Sequence, residues 1–294
     1  MEEFSDRGTM IVCLKFPEHL LCHVLELEPE VVLVRDAYDV SNEPISDTTR
    51  ARLCAVYEVR SIDSIEELSG VYVDLELKDP GAIRAVLSGA EYGMYGAAYL
   101  RGVLGLDSRE PDLAITVRDK RWMKKAFVDA GIPCARIISN YRQGDLVPEE
   151  MFPVVAKPVA GTGSFNTAVL QSQVELDDFV GTEELHPALA SMQWAVEEKL
   201  AGEEYHVDMI WRDGEIVFTS VGRYLVPRLA ALEPPSRNGS IILSPEVHAE
   251  LYESFSDLML KFGRQKNIDS GVTHAEFFVT SDGRIYISEV ATRF

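Results

Sequence analysis

Met10–Phe16 (MIVCLKF) and Glu30–Asp36 (EVVLVRD) are short apolar runs, and between them Leu20, Leu21, Val24 and Leu25 recur at helical spacing. A strand that returns to its own sheet through a helix pairs in parallel, so this alternation restricts the fold more than any other feature. Leu53–Val59 (LCAVYEV) supplies a third strand, and SIDSIEEL then offers Ser61 or Ser64 as the N-cap of another helix. The expectation is an open α/β sheet over residues 1–112. Ala90–Leu106 reads as a helix ending near Gly105. Asp119–Pro133 reads as another, with Trp122, Met123, Ala126, Phe127 and Ala130 on its repeat and Gly131 and Pro133 at its stop.

The pattern then changes. FPVVAKP is a buried strand, followed by the glycine-containing VAGTGSFN and a strand at TAVL. QWAVEEKL is a strand that breaks at AGEE. EYHVDMIWRDGEIVFTSV is a hairpin around Asp213-Gly214, RYLVPRLAALEPPSRNGS is loop, and Ser244–Gly263 is an amphipathic helix closed by Gly263. HAEFFVTSDGRIYISEV (His274–Val290) is a second hairpin. A two-residue Asp282-Gly283 turn places Ser281 opposite Arg284, Phe278 opposite Ile287, and Glu276 opposite Glu289. The two carboxylates would then stand ~5 Å apart on one face, where like charges are destabilising. Either one protonates or a cation sits between them, and Mg²⁺ held by two carboxylates and substrate phosphates is the usual case. By parity His274, Ala291 and Arg293 share that face.

Lys157 ends a buried strand, where an ammonium is costly without an anion. Gly161 and Gly163 in the following loop allow backbone amides to approach a phosphate. The loop is not a Walker A motif. Nor is it a dinucleotide fingerprint, because Asn166 occupies the third glycine position and no helix pattern follows, which argues against a nicotinamide-dependent oxidoreductase. Any anion has to be bound against a net charge of −20, from 28 basic and 48 acidic residues. That balance disfavours nucleic acid and anionic lipid as partners. No apolar run reaches the ~20 residues of a membrane span, and the acidic start MEEFSDRGTM is not a secretory signal. Cys13, Cys22, Cys54 and Cys134 form no C-x-x-C pair and read as buried free thiols of a cytoplasmic protein.

DK..M...F..AGIP, FPVVAKP, GTGS, VEEKLAGEEYHVD and THAEFFVTSDGRIYISEVATR follow one another in an order that resembles the ATP-grasp superfamily. Within it, the chain is similar to the carboxylate–amine ligases, among them D-alanine–D-alanine ligase, biotin carboxylase and the bacterial L-amino-acid ligases. The resemblance runs from about Glu91 to the C-terminus. It implies an ATP-grasp fold behind an N-terminal open α/β domain: residues 1–112, a lid subdomain with its linker helix at 113–195, and a larger subdomain at 196–294 that stops short. By the same resemblance, Lys120 and Lys157 hold the ATP phosphates, and Gly161, Thr162, Gly163 and Ser164 form the loop over them. Glu197, Glu198 and Leu200 lie at the adenine hinge, and Glu204 binds the ribose. Glu276 and Glu289 hold Mg²⁺, with Mn²⁺ as the alternative ion. Arg293, with Lys157, serves the phosphoryl transfer. Arg223, Arg228 and His274 are candidates for the substrates.

The chain departs from the family's E-x-N-x-R ending by Ala291, a change shared with some amino-acid ligases that removes one metal ligand. The implied reaction is ADP-forming amide synthesis from a carboxylate and an amine through an acyl phosphate. A carrier-protein thiol is the alternative acceptor, and an ATP-binding module without ligase activity is the alternative function. A homodimer is open.

Overall fold

The structure, a computed structural model, describes residues 8–28, 30–106, 110–161, 163–182, 193–230 and 239–293. It divides into two compact units, Met1–Ala114 with Arg293–Phe294, and Ile115–Thr292.

In the first unit the chain runs β1 (Met10–Leu14), α1 (Glu18–Leu27), β2 (Val31–Asp36), α2 (Ala37–Asn42), α3 (Asp47–Arg50), β3 (Ala55–Val59), α4 (Ile65–Lys78), β4 (Ile83–Ser88) and α5 (Met94–Leu104). The strands lie in the order β3-β2-β1-β4, every pair parallel. Alternate residues serve opposite faces. Val12, Leu14, Val32 and Val34 pack with Leu68, Val71 and Leu75 of α4 and with Ala97 and Leu100 of α5. Ile11, Cys13, Val31 and Leu33 pack with Leu21 and Leu25 of α1. Both faces are covered, which is why these strands read as unbroken apolar runs. Ser64, not Ser61, caps α4 by accepting the Glu67 N–H. The helix expected from Ala90 opens as a 3₁₀ turn at Glu91–Gly93, and α5 ends at Gly105 with a left-handed φ of 64°. All four cysteines are free, but only Cys13 is fully buried and Cys54 is exposed. Cys54 directly precedes β3, an edge strand of the sheet.

The division between units falls within α6 (Glu110–Arg118). In the second unit α7 (Lys120–Asp129) is capped by Asp119, whose carboxylate accepts the Arg121 N–H at 2.9 Å. A small antiparallel sheet follows, in the order β5-β8-β6-β7, from β5 (Ile137–Tyr141), β6 (Val154–Pro158), β7 (Ala168–Leu170) and β8 (Trp194–Glu198). Helix α8 (Gln173–Thr182) packs on it through Leu176, against Val154, Ala156 and Val196. The expected boundary at 195/196 runs through β8, all of which lies in this sheet.

The larger sheet has the order β11-β10-β9-β12-β13, from β9 (Glu203–Arg212), β10 (Glu215–Tyr224), β11 (Ser240–Ile242), β12 (Gly271–Val279) and β13 (Ile285–Arg293). One face is buried under α9 (Ala249–Lys266). Phe255 of α9 lies 5.6 Å from the Tyr205 ring and 4.5 Å from the Phe277 ring, centroid to centroid. Helix α9 starts later than Ser244 and does not stop at Gly263. It ends where Asn267 takes a left-handed φ of 52°. Gly263 is there for packing, since a Cβ would stand 2.5 Å from the Trp211 ring. The opposite face of the sheet is open. Register places Glu204, His206 and Asp208 of β9 opposite Phe278, Glu276 and His274 of β12.

Candidate active site

A cavity of about 510 Å³ lies within the second unit. Its wall combines β6 and the loop after it, the β8–β9 connection, the segment after β10, α7, and the paired strands β12 and β13. That size is within the range of small-ligand sites.

Three lysines converge on two glutamates at its edge. Lys157 lies on β6 and Glu197 on β8, neighbouring strands of the small sheet. Their ammonium and carboxylate are in direct contact. Lys157 Nζ also donates to Glu289 Oε1 at 2.7 Å. Lys120 Nζ lies 3.4 Å from Glu289 Oε2 and donates to the Gly161 carbonyl at 2.8 Å. Lys124 Nζ lies 2.9 Å from Glu197 Oε2 and donates to the Ser288 carbonyl at 2.8 Å. Lys120, Lys124, Lys157 and Glu197 are all buried. Burial alone would raise the Glu289 pKa, but Lys120 and Lys157 overcome it and hold the carboxyl well below the usual range. Glu197 is held down in the same way by Lys124 and Lys157. For Lys157, burial opposes the charge and the two glutamates restore it, leaving the ammonium above its ordinary value.

Across the open face of the larger sheet the groups are carboxylates and imidazoles. Glu204 accepts the Arg228 N–H at 2.8 Å, and burial, together with nearby Glu276, raises its pKa. The Tyr224 hydroxyl donates to Glu276 Oε1 at 3.3 Å, and the Arg228 guanidinium sits 5.1 Å above the Tyr224 ring. Asp208 bonds both His206 and His274. Burial would lower the His274 pKa, but the hydrogen bonds its ring donates to Asp208 and Glu276 raise it to about 9. Burial would raise that of Asp208, and the two histidines hold it far below the ordinary range.

The carboxylate hairpin differs from its expected form. The turn is a three-residue loop: Thr280 N–H donates to the Arg284 carbonyl, Gly283 N–H donates to the Thr280 carbonyl, and Gly283 has a φ of 79°. Thr280 therefore faces Arg284, one position away from the two-residue register, and next to the turn Glu276 is not set opposite Glu289. Buried positions on β13 then change parity, from Ile287 to Val290 and Thr292. Val290 N–H is bonded to the Met123 sulfur at 3.3 Å, and Ile287 N–H to the Pro133 carbonyl at 2.8 Å. The shift brings Glu289 to the cavity that Glu276 also lines. Each carboxylate has its own partners, lysines for Glu289 and Tyr224 with His274 for Glu276.

Residues 150–294 match the ATP-grasp domain family. An L-amino acid ligase from Bacillus licheniformis superposes with a TM-score of 0.76, covering 98% of this chain and 68% of that one at 16% identity. The fold is ATP-grasp. The 2-oxoglutarate carboxylase biotin carboxylase domain of Hydrogenobacter thermophilus, solved with MgADP and bicarbonate, superposes with a TM-score of 0.68 at 16% identity, covering 98% of this chain and 65% of that one. In sequence, the chain is 27% identical over 281 residues to an L-arginine-specific L-amino acid ligase of Bacillus subtilis, which is 90% of this chain and 66% of that ligase. It spans about half the length of the D-alanine–D-alanine ligases it matches.

Around the cavity the structure gathers Lys120, Lys157, Gly161, Gly163, Ser164, Glu197, Glu198, Leu200, Glu204, Arg228, Glu276 and Glu289. The Glu198 side chain pairs with Arg136. The glycine loop joins two strands, β6 and β7, as its sequence implied. Arg223 is paired instead with Glu203 at 3.0 Å and faces with Tyr205, on the side of the sheet away from Glu204. Thr162 lies outside the described residues, and Arg293 is the last residue of β13. Sequence reasoning missed Lys124, one helical turn beyond Lys120, and His206 and Asp208, which follow Glu204 at the period of a strand. Both spacings were legible.

Proposed function

We propose that this chain carries the core of an ATP-dependent carboxylate–amine ligase that forms an amide bond between amino acids and releases ADP and phosphate. The observation that carries the reading is the shared cluster of Lys120, Lys124 and Lys157 with Glu197 and Glu289, beside a cavity that also holds Glu204 and Glu276. The similarity to L-amino acid ligases supports it.

The donor set fits ATP with Mg²⁺. Lysine ammoniums suit phosphate oxygens, and carboxylates suit a hard divalent ion. Glu289 engages Lys120 and Lys157; with ATP and Mg²⁺ bound, the two lysines would hold the phosphates, and Glu289 with Glu276 would hold the ion. When bound, the ion neutralises charge on the phosphates. Lys157 and Lys120 hold the phosphates, and Glu204 the ribose. Gly161 and Gly163 permit the loop between β6 and β7 to close close to the phosphates and exclude water from an acyl phosphate. We assign Arg293 to the same phosphoryl group and Arg228 to a substrate carboxylate. The substrate carboxylate oxygen attacks the γ-phosphorus, the bond to ADP breaks, and the amine then displaces phosphate and loses a proton. Residues 113–195 with the rest of β8 are assigned to the lid, and the protein to the cytoplasm. Among the described residues no helix is long and apolar enough to cross a membrane.

A screen with ATP, Mg²⁺ and amino-acid pairs tests the proposal. ADP and phosphate should appear only with a productive pair. AMP with pyrophosphate, or no phosphate above background with any pair, would overturn it.

A further inference from the structure

Beyond Glu276, the open face of the larger sheet carries three side chains that the proposed reaction does not use. His206 and Asp208 are two residues apart on β9, and His274 stands opposite Asp208 on β12. One ligand atom from each lies within 4.8 Å of the other two. Asp208 offers one oxygen to each imidazole: Oδ2 is 3.1 Å from His206 Nδ1, and Oδ1 is 2.7 Å from His274 Nδ1. The rings stack with centroids 5.7 Å apart and planes inclined by 24°. Both rings therefore present Nδ1 towards the one carboxylate of Asp208.

The far nitrogens are held as well. His206 Nε2 lies 3.0 Å from Ser240 Oγ, and His274 Nε2 lies 3.9 Å from Glu276 Oε1. The neighbouring strand is shaped around this arrangement. Gly222 is the register partner of His206 on β10, and a Cβ there would stand 2.1 Å from His206 Nε2. Only glycine leaves the ring this place.

We propose that His206, Asp208 and His274 bind a divalent transition-metal ion of borderline softness, of the Zn²⁺ or Co²⁺ kind, at a site distinct from the Glu276/Glu289 carboxylates. Two imidazole nitrogens and one carboxylate oxygen are the donor set such ions take, whereas Mg²⁺ prefers oxygen throughout. Metal-binding histidines usually donate their second ring N–H to an outer partner, the place that Ser240 and Glu276 occupy here. Three protein ligands leave an open position for water, or for the amine or carboxylate of a substrate. The site does not depend on the ligase reading.

The experiment is metal retention by the whole protein. Protein stripped with a chelator is dialysed against Co²⁺ with Mg²⁺ in large excess, and bound cobalt and its visible absorption are measured. One equivalent should be retained, with the intense d–d bands of a four- or five-coordinate ion. His206→Ala and Asp208→Asn should each abolish retention. Ser240→Ala keeps all three ligands and should weaken it by about tenfold, and Glu289→Gln should leave it unchanged. Absence of retained cobalt and of retained Zn²⁺ in the wild-type protein overturns the proposal, a result independent of whether any variant folds. So does retention that survives in His206→Ala and Asp208→Asn, or that disappears in Glu289→Gln.

Discussion

Two buried lysines, one in each unit, use similar partners to different ends. Lys15, just after β1, is bonded to Asp36 at 2.7 Å and Asp39 at 2.8 Å, with the Tyr38 and Tyr92 rings about 6 Å from its ammonium. Asp36 and Asp39 also cap each other at the start of α2. That lysine's charge is consumed by the fold. Lys157 instead shares Glu197 and Glu289 with two further lysines, and the cluster borders a cavity. Burial and ion pairing are common to both, so neither marks a site. Sharing of few carboxylates among several lysines, next to empty space, is what sets the second apart.

The comparison breaks most sharply on activity. Glu289→Gln should lower turnover by about 10³-fold, the scale of removing one group that serves developing charge, whereas Lys15→Met should leave turnover per folded molecule unchanged. Phosphate release measured against the folded fraction checks both, and near-normal turnover in Glu289→Gln would refute its role. On stability the two clusters should look alike. Lys124→Met strips Glu197 of one of its two lysines and Lys15→Met leaves two aspartates without their lysine, each at about 3 kcal/mol by urea denaturation. Nucleotide then separates them again. Saturating ATP with Mg²⁺, at about 100 times Kd, should stabilise the wild type and Lys15→Met by about 2.7 kcal/mol and Lys157→Met much less. The smallest effect is on pH dependence. The pKa of His274 is raised from 6.5 to about 9 in the fold. Its ion pair with Asp208 therefore stabilises fully below pH 6.5 and is lost as pH rises through about 9. Melting of the metal-free protein should show this decline, and His274→Asn should flatten it, with no such change in Lys15→Met.

Much of this was legible in advance. Alternation of apolar runs with helical spacing led to the parallel sheet, and the motif order pointed to ATP-grasp and to most of the side chains around the cavity. The turns show where such reading stops. Asp213-Gly214 and Asp282-Gly283 are the same dipeptide between apolar strands. In the first, both residues have positive φ, 52° and 76°, and Arg212 faces Glu215 in a two-residue turn. In the second, Gly283 alone is in that region among the described residues of the turn, and the loop has three residues. Gly214 N–H is bonded to the Asp269 carbonyl, a contact from outside the hairpin that its own sequence does not contain. Lys124 was passed over for a similar reason, because a lysine on a helix reads as solvated until its carboxylate is located.

The sequence by itself determined the periodicities, the breaks between strands and the inventory of charged side chains, because these depend on residues a few positions apart. Only the tertiary structure decided which lysine meets which glutamate, with Lys157 and Glu289 joined across 132 positions. It also decided the face on which Glu289 emerges, because the side chains of a strand change sides with a slip of one residue, and that slip is set by packing against α7 and the Pro133 carbonyl.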